Sequence, residues 1–401
     1  MFIFYRYVIR ELVAPFVFAF CVIMFVLILK LMLDIMDLLI SKGIPPLVMA
    51  KLFVYNLAWM IALVVPMSML VATVMAFGRM GASGEIIAMK AAGISMYRIV
   101  APVLFISVLL TIGMIWFNNE VLPEANYRAR NLNAAIMFYK PTFRLQNRES
   151  QFVSDIPTVT VRVDSIDYAT EELRGVALFR STRGVYEDVI VAEAGRFIAN
   201  PDRSGLTLML ENGEIHHFDP NQPARYVRSD YRRFFQNFTM DLRLDTDYKT
   251  SRNDRTKSVE MLENDIARME AENRGLQAEL NRLPAAIPDR DWQMSRIKNN
   301  IHSNNRQIAA NLVEVHKKYS IPFASIVFVL LGSSLGILVR RSGASIGIGL
   351  SIGFFTLYYI ALIGGESAGD RMLISPWLGM WSPNIVLGAL GVCMMIYAAR
   401  K

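Results

Sequence analysis

The chain has 401 residues, of which 53% are hydrophobic and 19% charged, and its 42 Lys and Arg against 35 Asp and Glu give a net charge of +7. Ordinary soluble proteins are less apolar and about 25% charged. Because the apolar residues are also concentrated in long stretches, the composition excludes a soluble enzyme, a disordered chain and a small secreted disulfide scaffold.

Long stretches without Asp, Glu, Lys or Arg alternate with charged segments along the chain. About 20 apolar residues cross the ~30 Å hydrocarbon core of a bilayer, so each stretch predicts a transmembrane helix. A membrane β-barrel would instead show alternating segments of about 10 residues. The first stretch is long and has no small-residue cleavage site, so it predicts a retained helix. The six stretches are residues 12–29, 52–78, 99–119, 319–339, 342–365 and 372–399.

Lys30 directly follows the first stretch. It lies roughly 22 Å along a helix from Pro15, which places it near the outer boundary of the membrane that this helix crosses. Two interpretations are open. The ammonium group snorkels to the interface, or it contacts the phosphate of an anionic lipid headgroup.

The loop between the second and third stretches contains a predicted short helix. Gly84 and Gly93 bracket it, Ile86, Ile87 and Met89 give it an apolar side, and Glu85 stands at its start, where the helix dipole favours an acid. The helix is either a simple connector or a coupling helix inserted into a groove of a cytoplasmic ATPase, which would carry the motion of that ATPase into the membrane.

The long segment after the third stretch begins with strand patterns. Val159, Val161 and Val163 alternate with polar residues, and the pair Asn212–Gly213 is typical of a hairpin turn. Several short strands with turn signals predict a β-sandwich or β-jellyroll domain. A parallel α/β fold is disfavoured, because no long segment of helical period separates the strands.

The rest of that segment has a helical period. Apolar residues recur at 3-4 spacing from Val259 to Leu283 and from Trp292 to Val315, with Pro284 and Pro288 between the two runs. This predicts an antiparallel helical hairpin. It is either a rigid stalk continuous with the fourth membrane helix or a docking surface for a partner.

No motif for catalysis or metal binding occurs in the sequence, neither a P-loop nor H-E-x-x-H nor a Gly-x-Ser-x-Gly elbow. His216 and His217 are adjacent in a predicted strand and would point to opposite faces, which disfavours a metal site. We therefore expect no catalytic residues, metal or cofactor, and any work must be driven by a partner. Cys21 and Cys393 lie in apolar stretches and are expected to be free thiols.

The distribution of Lys and Arg predicts the topology. Nine lie in the short loops and termini on one side of the predicted helices and four on the other. The side rich in Lys and Arg faces the cytoplasm, so both termini are expected there and the long segment in the periplasm.

Several segments together resemble the lipopolysaccharide-export permeases of the LptF/LptG type. They are GEIIAMKAAGIS at 84–95, HKKYSIPFASIVFVLLGSSLGILVRRSG at 316–343, MWSPN at 380–384 and RYVIRELVAPF at 6–16. The layout of three helices, a periplasmic β domain and three more helices is also similar, and only the hairpin departs from the family pattern.

The resemblance implies a set of partners. The family pairs two paralogous six-span permeases over a dimeric cytoplasmic ABC ATPase, and neither enzyme activity nor nucleic acid is implied. The β domain would pass lipopolysaccharide to a periplasmic bridge protein, and a single-span partner with a periplasmic jellyroll would regulate one gate. The residues implied to couple to the ATPase are Gly84, Glu85, Ile86, Met89 and Gly93; those implied to line the lipid cavity and its gates are Phe25, Leu29, Lys30, Phe355, Tyr358 and Tyr359.

The predicted domains are transmembrane helices in 1–119 with the coupling helix at 84–93, a β domain in 120–250, a hairpin in 251–318 and further transmembrane helices in 319–401. The expected function is the permease subunit that extracts lipopolysaccharide from the bacterial inner membrane. Two alternatives stay open. One is a permease of another ABC system, for lipoprotein release or mechanotransmission, which resembles four-span chains. The other is a membrane scaffold without transport activity.

Overall fold

The computed structural model describes residues 2–42, 46–139, 153–156, 159–167, 170, 172–182, 185–199, 205–218, 226–239, 252–282, 290–339 and 344–400. Its helices are α1 (Phe2–Lys42), α2 (Pro46–Ala82), α3 (Glu85–Ala91), α4 (Met96–Trp116), α5 (Leu122–Tyr139), α6 (Val259–Arg282), α7 (Arg290–Leu338), α8 (Ala344–Asp370) and α9 (Pro376–Arg400). A π-helical turn (Phe117–Val121) joins α4 to α5, and a 3-10 turn (Asp254–Thr256) precedes α6.

Within the described residues, six helices are long and apolar enough to cross a membrane, and each overlaps one of the charge-free stretches. They comprise α1, α2, α4 together with α5, α7, α8 and α9. α2 and α7 are mostly buried, whereas α1 and α8 expose most of their apolar surface. The prediction of six membrane-spanning helices is confirmed.

The chain divides into two compact units. The first contains Met1–Leu33, Phe53–Tyr127 and Arg252–Lys401, and the second contains Asp34–Leu52 and Arg128–Ser251. In the first unit, small residues bring helices into backbone contact. This is usual in membranes, where the hydrophobic effect does not drive helices together and close packing does. A Cβ added to Gly336 on α7 would lie 2.7 Å from the carbonyl oxygen of Val74 on α2.

The second unit contains a six-stranded sheet. Its strands are β1 (Val153–Ile156), β2 (Val159–Asp167), β3 (Glu172–Thr182), β4 (Val185–Ala199), β5 (Gly205–Phe218) and β6 (Tyr226–Thr239). Each strand pairs antiparallel with its neighbour in sequence. Alternate residues such as Val161, Val163 and Leu178 are fully or almost fully buried on one face. The predicted class, a helical membrane protein with a β domain, is confirmed, and the described strands follow the order of a meander rather than that of a jelly roll.

The prediction of a hairpin turn at Asn212–Gly213 is wrong. Both residues lie inside β5, and the strand continues because β4 and β6 pair with it on either side. Asn212 has a φ of 53°, a local interruption without a change of register. Position 213 has no room for a side chain, because the ring of Tyr231 lies across it and its hydroxyl donates to the carbonyl oxygen of Val191 at 2.9 Å.

α6 packs against the first half of α7 and forms a helical hairpin. Asn273 lies in the seam, where its amide donates to Asn305 Oδ1 at 2.9 Å and its carbonyl accepts from Asn304 Nδ2 at 3.1 Å. α7 then continues without interruption into the fourth membrane-spanning helix. The predicted breakers Pro284 and Pro288 lie outside the described residues.

Candidate functional site

The short helix α3 is mounted at one end of the first unit. Gly84 and Gly93 flank it with φ values of 78° and 82°, a left-handed backbone that favours glycine. Ile86 is buried in the core of the unit, and Met89 packs against the same cluster. Ile87 is 53% exposed. Ile86 and Met89 of the predicted apolar side therefore anchor the helix to the bundle, whereas the prediction is wrong for Ile87, which faces outward because it is one position from Ile86 and so lies about 100° around the helix.

Glu85 has hydrogen-bond partners on α1 and in the preceding loop. Its Oε2 atom accepts a hydrogen bond from the hydroxyl of Tyr7 on α1 at 2.6 Å, and its Oε1 atom accepts one from Ser83 Oγ at 2.8 Å. Nothing in the sequence indicates the contact with Tyr7, because the two residues are separated by 78 positions.

Two further contacts fasten this end of the bundle. Lys90 Nζ lies 3.4 Å and 3.3 Å from the carbonyl oxygens of Ala398 and Ala399, in the last turn of α9, where helical carbonyls lack backbone donors. Arg79 at the end of α2 forms an ion pair with Glu11 on α1. Together with the contact between Tyr7 and Glu85, these place α3 and both termini at the same end of the bundle.

The proposed lipid-facing residues divide into exposed and buried ones. Phe25 and Leu29 on α1 are 61% and 48% exposed, and Lys30 is exposed beside them. On α8 the rings of Phe355 and Tyr359 stack with their centroids 5.9 Å apart. The structure therefore places Phe25, Leu29, Lys30 and Tyr359 on the outer faces of α1 and α8, whereas Phe355 is partly buried and packs against the core of the bundle.

Tyr358 is turned the other way. It is 3% exposed, and its ring packs edge-on against Phe328 of α7 with centroids 5.1 Å apart. Its hydroxyl lies beside Ser320 and Asn384. Asn384 on α9 donates to Ser320 Oγ at 2.8 Å, which joins α9 to α7, and the ring contact of Tyr358 with Phe328 joins α8 to α7. In this conformation Tyr358 connects helices and does not face a lipid surface.

A charged cluster that the sequence analysis missed lies in the first unit, between α5, α7, α8 and the segment that precedes α6. Glu366 on α8 accepts from Lys317 Nζ at 2.8 Å and from Arg255 at 3.0 Å. Arg252 donates to Glu124 on α5 at 2.8 Å. Residues far apart in sequence supply these charges, so no local motif could have indicated the cluster.

In the β unit, the two adjacent histidines have different partners. His217 Nδ1 lies 2.6 Å from Asp188 Oδ1, and Arg180 donates to Asp188 Oδ2. His216 Nδ1 lies 2.6 Å from the hydroxyl oxygen of Tyr226. Burial alone would raise the pKa of Asp188, but the hydrogen bonds from His217 and Arg180 outweigh it and hold the pKa below its usual value. Across the described parts of the chain, no group of three or more His, Cys, Asp or Glu could hold a metal ion.

Six helices able to cross a membrane, a short helix mounted across one end of their bundle and an antiparallel β unit define a multi-pass membrane protein that carries a β domain. The sequence matches the model of the family described as lipopolysaccharide export system permease LptF/LptG over residues 6–397. The chain therefore belongs to the LptF/LptG family and is a multi-pass protein of the inner membrane. The helical hairpin lies inside the matched range. A search of curated proteins finds no match to the sequence.

Proposed function

We propose that this chain is one of two paired permease subunits that extract lipopolysaccharide from the inner membrane, driven by a cytoplasmic ABC ATPase dimer that acts on α3. The β unit would pass the lipid to a periplasmic bridge protein, next to a single-span partner with its own jellyroll. The observation that carries the proposal is the mounting of α3. α3 is fixed to the bundle through Ile86 and exposes Ile87. A partner that binds the exposed side and moves α3 would therefore also move the membrane helices to which α3 is fixed.

The charge distribution supports the orientation. α3 and both termini lie at one end of the bundle, and that end carries Arg79, Lys90, Arg98 and Arg400. Because Lys and Arg are enriched in short cytoplasmic loops, this end is proposed to face the cytoplasm. The six-span chain then has both termini inside, and the segment between the third and fourth spans is periplasmic.

The physics of the lipid supports an apolar route. Each CH₂ group removed from water is worth ~0.8 kcal/mol, so pulling several acyl chains through water would cost tens of kcal/mol. Phe25 and Leu29 on α1, with Tyr359 on α8, offer exposed apolar surface suited to a lateral gate for these chains, and the partly buried ring of Phe355 stacks on Tyr359. Lys30 lies next to that surface on α1 and is proposed to contact a phosphate of the headgroup.

The experiment reconstitutes the chain with its paralogous subunit and ATPase in proteoliposomes that contain lipopolysaccharide. Ile87→Asp places a charge on the exposed side of α3, and we expect it to reduce both ATPase copurification and lipid release at least tenfold. Leu373→Asp is the matched control, since Leu373 is 73% exposed in the turn between α8 and α9, far along the chain from α3. Unchanged ATPase binding and lipid release by the Ile87 variant would refute the role of α3.

The alternatives are weaker. Permeases of the lipoprotein-release and mechanotransmission types resemble four-span chains, whereas six helices of spanning length occur among the described residues here. A scaffold without transport activity predicts that the wild-type complex releases no lipopolysaccharide when ATP is hydrolysed, so the same assay distinguishes it.

A further inference from the structure

α8 is held to the bundle along one narrow stripe. In its most apolar window 22% of residues are buried, compared with 72% for α7. Among the described side chains of α8, the large ones that are buried are Tyr358 and Leu362, one helical turn apart, and Phe354 and Phe355 add partly buried rings to the same cluster. The other buried positions carry small residues, namely Gly347, Ser351, Gly365 and Gly369. The side-chain contacts that hold α8 are therefore concentrated around Tyr358.

The last turns of α8 are fixed by a backbone contact with α9. Pro383 has no N–H group, so the carbonyl oxygen of Gly379 lacks its usual helical donor. This oxygen faces Gly365 of α8, and in return a Cβ added to Gly379 would lie 2.6 Å from the carbonyl oxygen of Gly365. Glu366, the next residue, forms the ion pairs described above. This end of α8 is therefore fixed, and the rest of the helix can tilt about the contact between the two glycines.

Tyr358 points into a polar contact between α7 and α9. There Asn384 Nδ2 donates to Ser320 Oγ at 2.8 Å, and Ser320 Oγ donates to the carbonyl oxygen of Met380 at 2.5 Å. The hydroxyl of Tyr358 lies beside these groups. Among the residues that the structure describes, neither this hydroxyl nor Asn384 Oδ1 has a hydrogen-bond partner. A buried donor and a buried acceptor are thus neighbours without being bonded, which is unfavourable for both groups.

We propose that Tyr358 is a positioning residue that sets α8 in one of two arrangements, the docked one described above and a tilted one in which its hydroxyl donates to Asn384 Oδ1. Tyr358 lies about 10 Å along the helix from Gly365, and Ala344 lies about three times as far. A shift of about 1 Å at Tyr358 would therefore move the start of α8 by about 3 Å. The inference rests on the proposed function, since it presumes that α8 borders the lipid gate.

The contacts of the two arrangements offset one another. The docked one keeps the edge-on contact between the rings of Tyr358 and Phe328, whereas the tilted one gains a buried hydrogen bond. Because each arrangement lacks what the other has, a partner that displaces the bundle can select between them. Tyr358→Phe retains the ring contact and cannot form the hydrogen bond, so it should hold α8 in the docked arrangement.

Tyr358→Phe in the complex reconstituted in proteoliposomes tests the inference. We expect the rate of ATP hydrolysis to stay within about twofold of wild type, while the lipopolysaccharide released per ATP falls about fivefold to tenfold, the scale of one hydrogen bond. The unfolding temperature in detergent should be unchanged or higher, since the hydroxyl has no partner among the described residues of the docked arrangement. Tyr319→Phe is the matched control, because it removes a hydroxyl from a partly buried tyrosine of α7 that directly precedes Ser320.

A distance measurement observes the two arrangements directly. Nitroxide labels are placed at Ile346 near the start of α8 and at Val386 on α9, which are 49% and 63% exposed, in a chain with Cys21 and Cys393 replaced by Ser. We expect pulsed electron paramagnetic resonance to give two distances during ATP turnover, and one distance when Tyr358→Phe is added. A single distance without the substitution, or two distances with it, would overturn the inference.

Asn384→Ala completes a double-mutant cycle. If the two side chains act through one hydrogen bond, Tyr358→Phe causes no further loss of lipid yield in the Asn384→Ala background, and a full additional loss would count against the contact. An equal fall of hydrolysis and release in Tyr358→Phe, together with a lower unfolding temperature, would reveal a merely structural role and would also overturn the inference. Failure of the proposed function is distinct, because the wild-type complex itself would then release no lipid.

Discussion

The side-chain amide of Asn118 lies 3.4 Å from the carbonyl oxygen of Lys318. Pro322, four residues further along α7, has no N–H group, so this carbonyl lacks its usual helical donor. Asn118 supplies the replacement from the π-helical turn between α4 and α5. The carbonyl of Pro322 is itself bonded by Thr111 on α4, at 3.1 Å. α4 and its extension therefore supply the donor that the proline removes from α7, as a membrane helix requires, and Thr111 adds a second polar contact at the same place.

We expect Asn118→Leu to destabilise the protein by about 1–3 kcal/mol, because the buried carbonyl of Lys318 loses its donor. Thermal unfolding in detergent measures the change. The matched background is Pro322→Ala, which restores the N–H group in α7. In that background Asn118→Leu should cost clearly less, and an equal cost in both backgrounds would contradict the assigned role of the amide.

Glu366 should matter more for stability than either cation that it binds. Its side chain is 18% exposed, as is that of Lys317, whereas that of Arg255 is 68% exposed. Glu366→Gln leaves Lys317 with Glu314, at 3.5 Å, as its remaining ion pair among the described residues, and is expected to cost about 2–3 kcal/mol, since a mostly buried ion loses its main partner. Arg255→Gln should cost less than about 1 kcal/mol. Unfolding of both variants in detergent decides the order, and equal costs would contradict it.

The β unit should lose stability at acid pH through Asp188. Its pKa is held below the usual value, so the stabilisation is fully present above the unfolded pKa of about 3.9 and is lost as the pH falls through the lower folded value. Asp188→Asn should cost about 1 kcal/mol at pH 7, since Arg180 and His217 are both partly exposed, and should flatten the decline below about pH 4. Amide hydrogen exchange of β3–β5 in the full chain, corrected for the intrinsic pH dependence of exchange, measures both effects. An unchanged acid dependence in the variant would assign the decline to other groups.

Asn273 is expected to fix the register of the helical hairpin. A buried polar residue in a helical seam specifies pairing at a cost in stability. Asn273→Leu should therefore raise the unfolding temperature while allowing α6 to slide against α7. Disulfide trapping between single cysteines on the two helices, in a chain with Cys21 and Cys393 replaced by Ser, reports the register. One unique pairing in the variant would show that the apolar contacts suffice.

The membrane-spanning helices could be predicted because charge-free stretches of sufficient length have few other uses. The arms of the hairpin were indicated by 3-4 spacing from Val259 onwards, and β2 by the alternation at Val161 and Val163. The order of the strands in the sheet could not be predicted, because alternation shows which face of a strand is buried but not which strands are neighbours. The prediction of a turn at Asn212–Gly213 failed for a related reason. Residues typical of turns also occur inside a strand when strands on both sides pair with it, as β4 and β6 do here.

The candidate site was predicted in part. Gly84 and Gly93 correctly bounded the short helix, since both adopt positive φ values. Which side of α8 faces inward could not be predicted, because a helix that is apolar all round carries no polarity contrast to separate Tyr358 from Tyr359. The contact between Tyr7 and Glu85 needed the structure, since only tertiary packing brings such distant residues together.

The unbroken length of α7 has a mechanical consequence. Its 49 residues form a rod about 73 Å long, and a tilt of roughly 5° about one end would swing the other by about 6 Å. Trp292 stands near the outer tip and is 64% exposed. A spectroscopic label on the hairpin arm would therefore move farther than the membrane-spanning part of α7. It would report rearrangements of the bundle that are too small to detect within the bilayer.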